Sequence, residues 1–407
     1  MHVAILTPVY PHPGSPSEGL FNKEHALSLA RSGIRVSIIV CKPWLPDVLA
    51  NSWERYRPLY DLTDFEEHEK VRGSFARYLH IPKYRLPNLT VDSCSRSILR
   101  KIGPLAQGEP FDVIQVHSAW PVGLSAPMVA DALHCPFVVT MHIQDDPRLV
   151  TRPKGAALYK HMLHKASAVV AVGHPLERSL RPWFSDGLDG CLRVIPNGVN
   201  LKTIQEGTEK VVRKGSACKR IVSVGNLWPV KGIDVNLRAL AGLRRLGIAW
   251  ESYTVVGDGP ERNQLERLTQ ELGIADRVNF KGRLTHQETL KEIVDADIFS
   301  LPSWQEAFGV VYLEAMACGK PVIGCWGQGA EDIIRHEIDG LLVKPRDVAE
   351  LTTGLRRLLT DCGLAQSLGN AGVTRAGEFT WERNTEQYLN VYKKVCGVAS
   401  LHKSESF

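Results

Sequence analysis

Ile221-Val222-Ser223-Val224-Gly225-Asn226-Leu227-Trp228-Pro229-Val230-Lys231-Gly232 reads as a short buried strand, a glycine turn and the opening of a helix. An apolar, β-branched run bounded by turn residues suits a strand covered on both faces, and the stretch near residues 233–246 continues with helical periodicity. The alternation goes on toward the C-terminus, with strands expected at residues 252–256, 278–281, 298–301, 321–324 and 341–343 and a helix near 261–272. The same grammar runs toward the N-terminus. Residues 3–7 form a strand, 8–19 a Pro/Gly/Ser-rich turn, 20–32 a helix closing at Gly33 and 35–40 a second strand, followed by apolar runs at 112–116, 137–140 and 168–172. The architecture repeats although the residues do not, and two α/β domains with parallel sheets follow.

The polar, charged stretch 201–219 suits a linker, which divides the chain into an N-terminal domain over residues 1–200 and a C-terminal domain over 220–379. Residues 380–407 carry Tyr388, Leu389, Val391 and Tyr392 at helical spacing, after a domain already complete. The simplest burial for that face is against the first domain, so the chain is expected to cross over twice. At 407 residues the chain exceeds what one hydrophobic core usually fills.

With 44% hydrophobic and 23% charged residues, the composition is that of a soluble enzyme and excludes disordered and fibrous classes. The net charge of +5 sits mostly in residues 1–200, which hold 22 Lys and Arg against 18 Asp and Glu. That is too diffuse for nucleic-acid binding, yet it permits attraction to phosphate or to an anionic membrane surface. Nine cysteines, none in a Cys-x-x-Cys pair, suggest neither a zinc site nor a disulfide framework. Without a leader-like start or a long apolar run, a cytoplasmic protein lacking a transmembrane helix is expected.

The chemistry concentrates in Trp304-Gln305-Glu306-Ala307-Phe308-Gly309-Val310-Val311-Tyr312-Leu313-Glu314-Ala315-Met316-Ala317-Cys318-Gly319-Lys320-Pro321. Gly309 permits close approach of backbone and ligand, and the helix opening after it has amides without internal acceptors at its positive end, which suits a pyrophosphate. Glu314 lies in a helix that is apolar all round. A buried carboxylate needs partners, and either the vicinal hydroxyls of a ribose or a salt bridge to an Arg or Lys supplies them.

This segment resembles the family 4 retaining glycosyltransferases of the GT-B fold, bacterial enzymes of polysaccharide and glycolipid synthesis whose signature is two glutamates with seven residues between, here Glu306 and Glu314. Ile195-Pro196-Asn197-Gly198-Val199-Asn200, Gly225-Asn226-Leu227 with Lys231-Gly232, and Gly257-Asp258-Gly259-Pro260 extend the resemblance over nearly the whole chain. It implies two doubly wound Rossmann-like domains with a cleft between them, a nucleotide-sugar donor, a saccharide or lipid-linked saccharide acceptor, and no cofactor or metal. By the same resemblance Glu314 holds the ribose, Glu306 the donor sugar, and the amides of Phe308, Gly309, Val310 and Val311 the sugar and diphosphate, while Lys231, an ammonium at a helix start on the carboxyl edge of the sheet, reads as a phosphate contact. Asn226 stands where the family usually has a phosphate-binding Arg.

Thr140-Met141-His142 resembles the family's Thr-x-His segment, which implies contact of His142 with the donor sugar and makes His142, Lys231 and Glu306 the expected catalytic group. Gly19 is expected to let backbone approach the diphosphate or acceptor, with His117 and Asp145 on the acceptor side. Other motifs are discounted. Asp295-Ala296-Asp297 reads as a helix–strand junction, Gly257-x-Gly259 lacks the third glycine of a dinucleotide site, and the basic, aromatic run 72–85 reads as a solvated loop or a membrane or acceptor contact. The alternatives are an idle nucleotide-sugar-binding subunit, or an epimerase or phosphorylase on the same plan.

Overall fold

The computed structural model describes residues 1–44, 62–68, 70–81, 84–106, 108–142, 147–184, 189–208 and 219–404. It forms two compact units, Met1–Pro196 with Trp381–Phe407, and Asn197–Thr380.

The first unit is built on β1 (His2–Thr7), β2 (Arg35–Trp44), β3 (Phe65–His68), β4 (Val71–Leu79), β5 (Val113–His117), β6 (Phe137–Met141), β7 (Ala168–Ala171) and β8 (Leu192–Val194). Their order is β3-β4-β2-β1-β5-β6-β7-β8, parallel throughout except for β3 on β4. The chain winds outward from β1 in both directions, with Ile5 set between Ile38 of β2 and Gln115 of β5. The carboxyl ends of β1 and β5 therefore flank a topological switch point, where ligands bind in open parallel sheets.

β4 corrects the reading of residues 72–85 as a solvated loop. It lies inside the sheet, with Val71, Phe75 and Tyr78 buried and Phe65 packed over Gly73, where a Cβ would meet the ring at 2.1 Å. Its small members Ser74 and Ala76 are buried as well, while Arg77 is exposed; long stems carry arginine charge to water from a buried backbone, and that disguises a strand as a loop.

The Trp381–Ser404 helix completes the first unit, as its apolar spacing requires. Tyr388, Tyr392 and Val395 join the core with Val3, Ile5, Val36 and Ile38. The hydroxyl of Tyr388 shares a hydrogen bond with Thr140 Oγ1 at 2.9 Å, that of Tyr392 donates to Gln115 Oε1, and Asn384 Nδ2 donates to the Pro196 carbonyl at 2.7 Å. Burying each tyrosine body stabilises the unit by about 1.5–3 kcal/mol, provided its hydroxyl is paired, as here.

The second unit comprises β9 (Arg220–Val224), β10 (Ser252–Val256), β11 (Val278–Gly282), β12 (Ile298–Ser300), β13 (Val322–Cys325) and β14 (Leu341–Val343), all parallel in the order β11-β10-β9-β12-β13-β14. Its switch point lies between β9 and β12. Residues 201–219 are not simply a linker: Leu201–Thr208 is a helix of this unit, packed on the His286–Asp295 and Val310–Ala317 helices. Its apolar positions Leu201 and Ile204 lie three apart, and Ile204 is buried; the density of charge around them hides that face in the sequence.

Glycines bring the strand ends of this unit together. Gly257 has φ 129°, and a Cβ there would lie 2.0 Å from the Gly225 carbonyl oxygen; at Gly259 it would lie 2.5 Å from that of Leu227. The pair therefore serves backbone packing, which agrees with discounting it as a dinucleotide motif. Lys320 is buried and donates to the carbonyls of Val294 and Ala296, closing the end of the His286–Asp295 helix.

Candidate active site

In the second unit two loops leave the sheet on either side of its switch point. After β9, Gly225 leaves room for the Lys231 side chain, whose Cδ and Cε would lie 3.8 Å from a Cβ at that position. Asn226 follows and is exposed. The Pro229–Lys231 turn then ends at Gly232, with φ 69° and no space for a Cβ, since the Pro302 carbonyl oxygen would be 2.4 Å away. Lys231 thus projects from a turn fixed on both sides.

After β12, Glu306 is anchored through its backbone: its amide donates to Gln328 Oε1 at 3.2 Å and its carbonyl accepts from the Gly329 amide at 2.8 Å. Its carboxylate meets the ammonium of Lys231 at 2.6 Å, with side-chain exposures of 14% and 21%. Gly309, at φ 92°, begins the Val310–Ala317 helix, and a Cβ there would lie 2.6 Å from the Tyr312 ring. Gly309, Val310 and Val311 are half-buried, whereas the Phe308 side chain is buried near Phe379. Burial of its side chain leaves only the backbone of Phe308 for the ligand contact the resemblance implies.

Glu314 lies one turn further along that helix and is half-buried. Its partner is neither Arg nor Lys but His286, whose Nε2 lies 2.8 Å from Glu314 Oε1. His286 is the first residue of a helix whose start is set by a capping box: Thr285 Oγ1 accepts from the Glu288 amide and the Glu288 carboxylate accepts from the Thr285 amide. Sequence reasoning missed His286, and the Thr285-x-x-Glu288 box was the signal that could have found it. The unit thus groups Lys231 with Glu306, Glu314 with His286, and uncapped helix amides after Gly309, an arrangement suited to an anion flanked by hydroxyl groups.

Among the discounted acids, Asp297 accepts from the amides of Lys219 and Arg220 at the entry to β9, and Asp295 is exposed. The described residues hold no group of three or more His, Cys, Asp and Glu that could bind a metal ion.

In the first unit, Gly19 has φ 67° and starts the Leu20–Arg31 helix, and a Cβ there would meet the Val9 carbonyl at 2.6 Å. His117 ends β5 and His142 follows β6. Their rings lie nearly coplanar and edge to edge, 5.0 Å between centroids and 19° apart, with His117 Nδ1 2.7 Å from His142 Nε2. His142 is half-buried beside Phe21, whereas His117 is buried, which places it behind His142 and away from the direct acceptor contact expected of it. Asp145 lies outside the described residues.

Burial dominates the titration of these imidazoles. It brings His142 down to about 3 with help from His25, pushes His117 well down with help from His142 and His25, and lowers His25, which bonds Asn384 and Gln115. His2, buried beside Arg35, falls to about 4. In each case the unfolded chain takes up a proton near pH 6.5 that the folded chain refuses. Stability is therefore full above pH 6.5 and falls as the pH drops through that value toward 4, by about 1 kcal/mol per group per pH unit. Urea midpoints at pH 7, 6 and 5 are expected to decline in step; a flat series would contradict the burial of these rings.

A family described as Glycosyltransferase Family 4 matches residues 21–203, and one described as Glycosyl transferases group 1 matches residues 206–375. An uncharacterized glycosyltransferase of Methanocaldococcus jannaschii is 26% identical over 97% of this chain and 98% of its own. The D-inositol 3-phosphate glycosyltransferase of Stackebrandtia nassauensis is 30% identical over 69% of this chain and 68% of its own. Among solved structures, sucrose-phosphate synthase from Thermosynechococcus elongatus has a TM-score of 0.77 at 22% identity, covering 98% of this chain and all of that one. Anabaena HepE in complex with UDP-glucose has a TM-score of 0.65 at 17% identity, covering 98% and 99%. Two successive domain matches, a relative at 30% identity over two thirds of its length and paired Rossmann-like sheets agree: the chain belongs to the group 1 and family 4 glycosyltransferases and has the GT-B fold.

Proposed function

We propose that this glycosyltransferase is a retaining, metal-independent hexosyltransferase that carries a sugar from a nucleoside-diphosphate sugar to a saccharide or lipid-linked saccharide acceptor in polysaccharide or glycolipid assembly. The observation that carries the reading is the 2.6 Å pair of Lys231 and Glu306 beside the uncapped amides after Gly309. Cleavage of the bond between the anomeric carbon and the diphosphate leaves negative charge on phosphate oxygen and positive charge on the sugar. The Lys231 ammonium and the amides of Gly309, Val310 and Val311 meet the first, and the Glu306 carboxylate meets the hydroxyls of the second. The acceptor oxygen bonds to the anomeric carbon on the face the phosphate leaves, and its proton passes to the departing phosphate oxygen. Glu314 holds the ribose diol, Asn226 donates to phosphate in place of the family's Arg, and His142 contacts the sugar.

The UDP-glucose complex of the Anabaena structure supports a nucleotide-sugar donor. Work at the inner face of a membrane is part of the proposal. No helix among the described residues is long and apolar enough to cross one, so contact would be peripheral, and the Pro153–Lys165 helix supports it by exposing Lys154, Lys160, His161 and Lys165 without an acid in its length.

Incubation with a panel of uridine, guanosine and adenosine diphosphate sugars, a panel of saccharide acceptors and a chelator tests this reading. One donor is expected to yield product of unchanged anomeric configuration at a rate the chelator does not alter. Inversion would refute the same-face attack, a rate restored only by magnesium or manganese would refute the role of Lys231, and donor binding without product would identify an idle binding subunit.

A further inference from the structure

The pair His117–His142 carries one proton between two nitrogens, and the buried end of His117 decides which ring supplies it. His117 is 2% exposed, and its Nε2 is buried without a hydrogen-bond partner among the described residues. If His142 donated from Nε2, the proton of His117 would have to sit on its own Nε2, leaving a buried N–H with no acceptor. If His117 donates from Nδ1, only a bare ring lone pair is left unmet. Orphaned buried donors are rarer and costlier than under-used acceptors, so the second arrangement wins. A doubly protonated ring at either position would bury a charge without a carboxylate in hydrogen-bond reach among the described residues.

We propose that His117 is a positioning residue that locks His142 as the Nδ1–H tautomer, so that the nitrogen His142 offers its ligand donates to a sugar hydroxyl oxygen and accepts nothing. That nitrogen makes no hydrogen bond within the protein among the described residues, and Phe21, 4.6 Å away, packs against the same ring. His142 then cannot act as a base through its ligand-facing atom, which leaves the acceptor's proton to the departing phosphate. The inference rests on the proposed contact of His142 with a sugar, and the low proton affinity of both rings is consistent with it.

Long-range proton–nitrogen correlation spectra of the full chain labelled with 15N-histidine test it directly at pH 7.5, with His142 assigned by its loss in His142→Phe. The expected result is a protonated Nδ1 and a bare Nε2 on His142. His117→Asn retains a donor near the Nδ1 position and should keep both the tautomer and most of kcat. His117→Phe keeps a ring but no donor, so nothing holds Nε2 of His142 bare; both tautomers should then be populated, and kcat should fall about two- to fivefold with KM little changed. A protonated Nε2 on His142 in the unaltered chain overturns the proposal even if no His117 variant folds. Should the tautomer be as stated while His142→Phe turns over normally, the sugar contact of His142 is wrong and the inferred donation falls with it.

Discussion

Glu306→Gln lowers kcat by about 2–4 kcal/mol, some thirtyfold to a thousandfold, while affinity for the bare nucleoside diphosphate is kept or tightened. The carboxylate is assigned to a sugar that gains positive charge only as its bond to phosphate breaks, so its contribution is largest in the transition state and appears in turnover. In the unliganded protein it is also the partner of Lys231 at 2.6 Å. Replacing it by a neutral amide of the same shape leaves that ammonium free for phosphate, which is why the product nucleotide should bind no worse. Calorimetric titration with the free diphosphate beside steady-state rates makes the comparison. Loss of nucleotide affinity with unchanged kcat would place Glu306 at the wrong end of the donor.

Glu314→Gln gives the opposite pattern. It weakens the intact donor and the bare diphosphate alike, by about 1.5–3 kcal/mol, or roughly ten- to a hundredfold in Kd, because charge-assisted bonds to a ribose shared by both are lost. His286 sharpens the expectation, since Glu314 Oε1 already engages that ring at 2.8 Å and the proposed diol contact falls to Oε2. A variant that binds both normally yet turns over slowly would reverse the two assignments. If neither variant changes anything, the glutamate pair is structural and the proposed donor site falls.

Both parallel sheets were legible because buried strands read as uninterrupted apolar runs, and residues 221–225 show this as plainly as β9 does in space. The crossing C-terminal helix was legible because Tyr388 and Tyr392 form a face that needs a core. What was misread shares one physical cause. β4 and the Leu201–Thr208 helix carry charged side chains that reach water beside buried apolar ones, and pattern reading counts those as loop. In the site, Glu306, Gly309 and Glu314 stand within nine residues and could be seen together, whereas their partners Lys231 and His286 lie 75 and 28 residues away and are joined to them only by the sheet order. His117 looked like a ligand contact because its burial is set by β5 lying between β1 and β6, which no local pattern reveals.

The Trp381–Ser404 helix belongs to the unit that begins at Met1, and this shapes how the chain is made. On the ribosome the stretch Asn197–Thr380 emerges as one continuous piece and has every strand of its own sheet before the Trp381–Ser404 helix is made. The earlier-born unit must wait: until the Trp381–Ser404 helix emerges, His25 lacks Asn384, Thr140 lacks Tyr388, and the core around Val3 and Ile5 lacks Tyr392. The unit begun first is thus completed after the second, which leaves its apolar surface open to chaperones while Asn197–Thr380 is made and makes nonsense changes beyond residue 380 damaging to the sheet that holds β1.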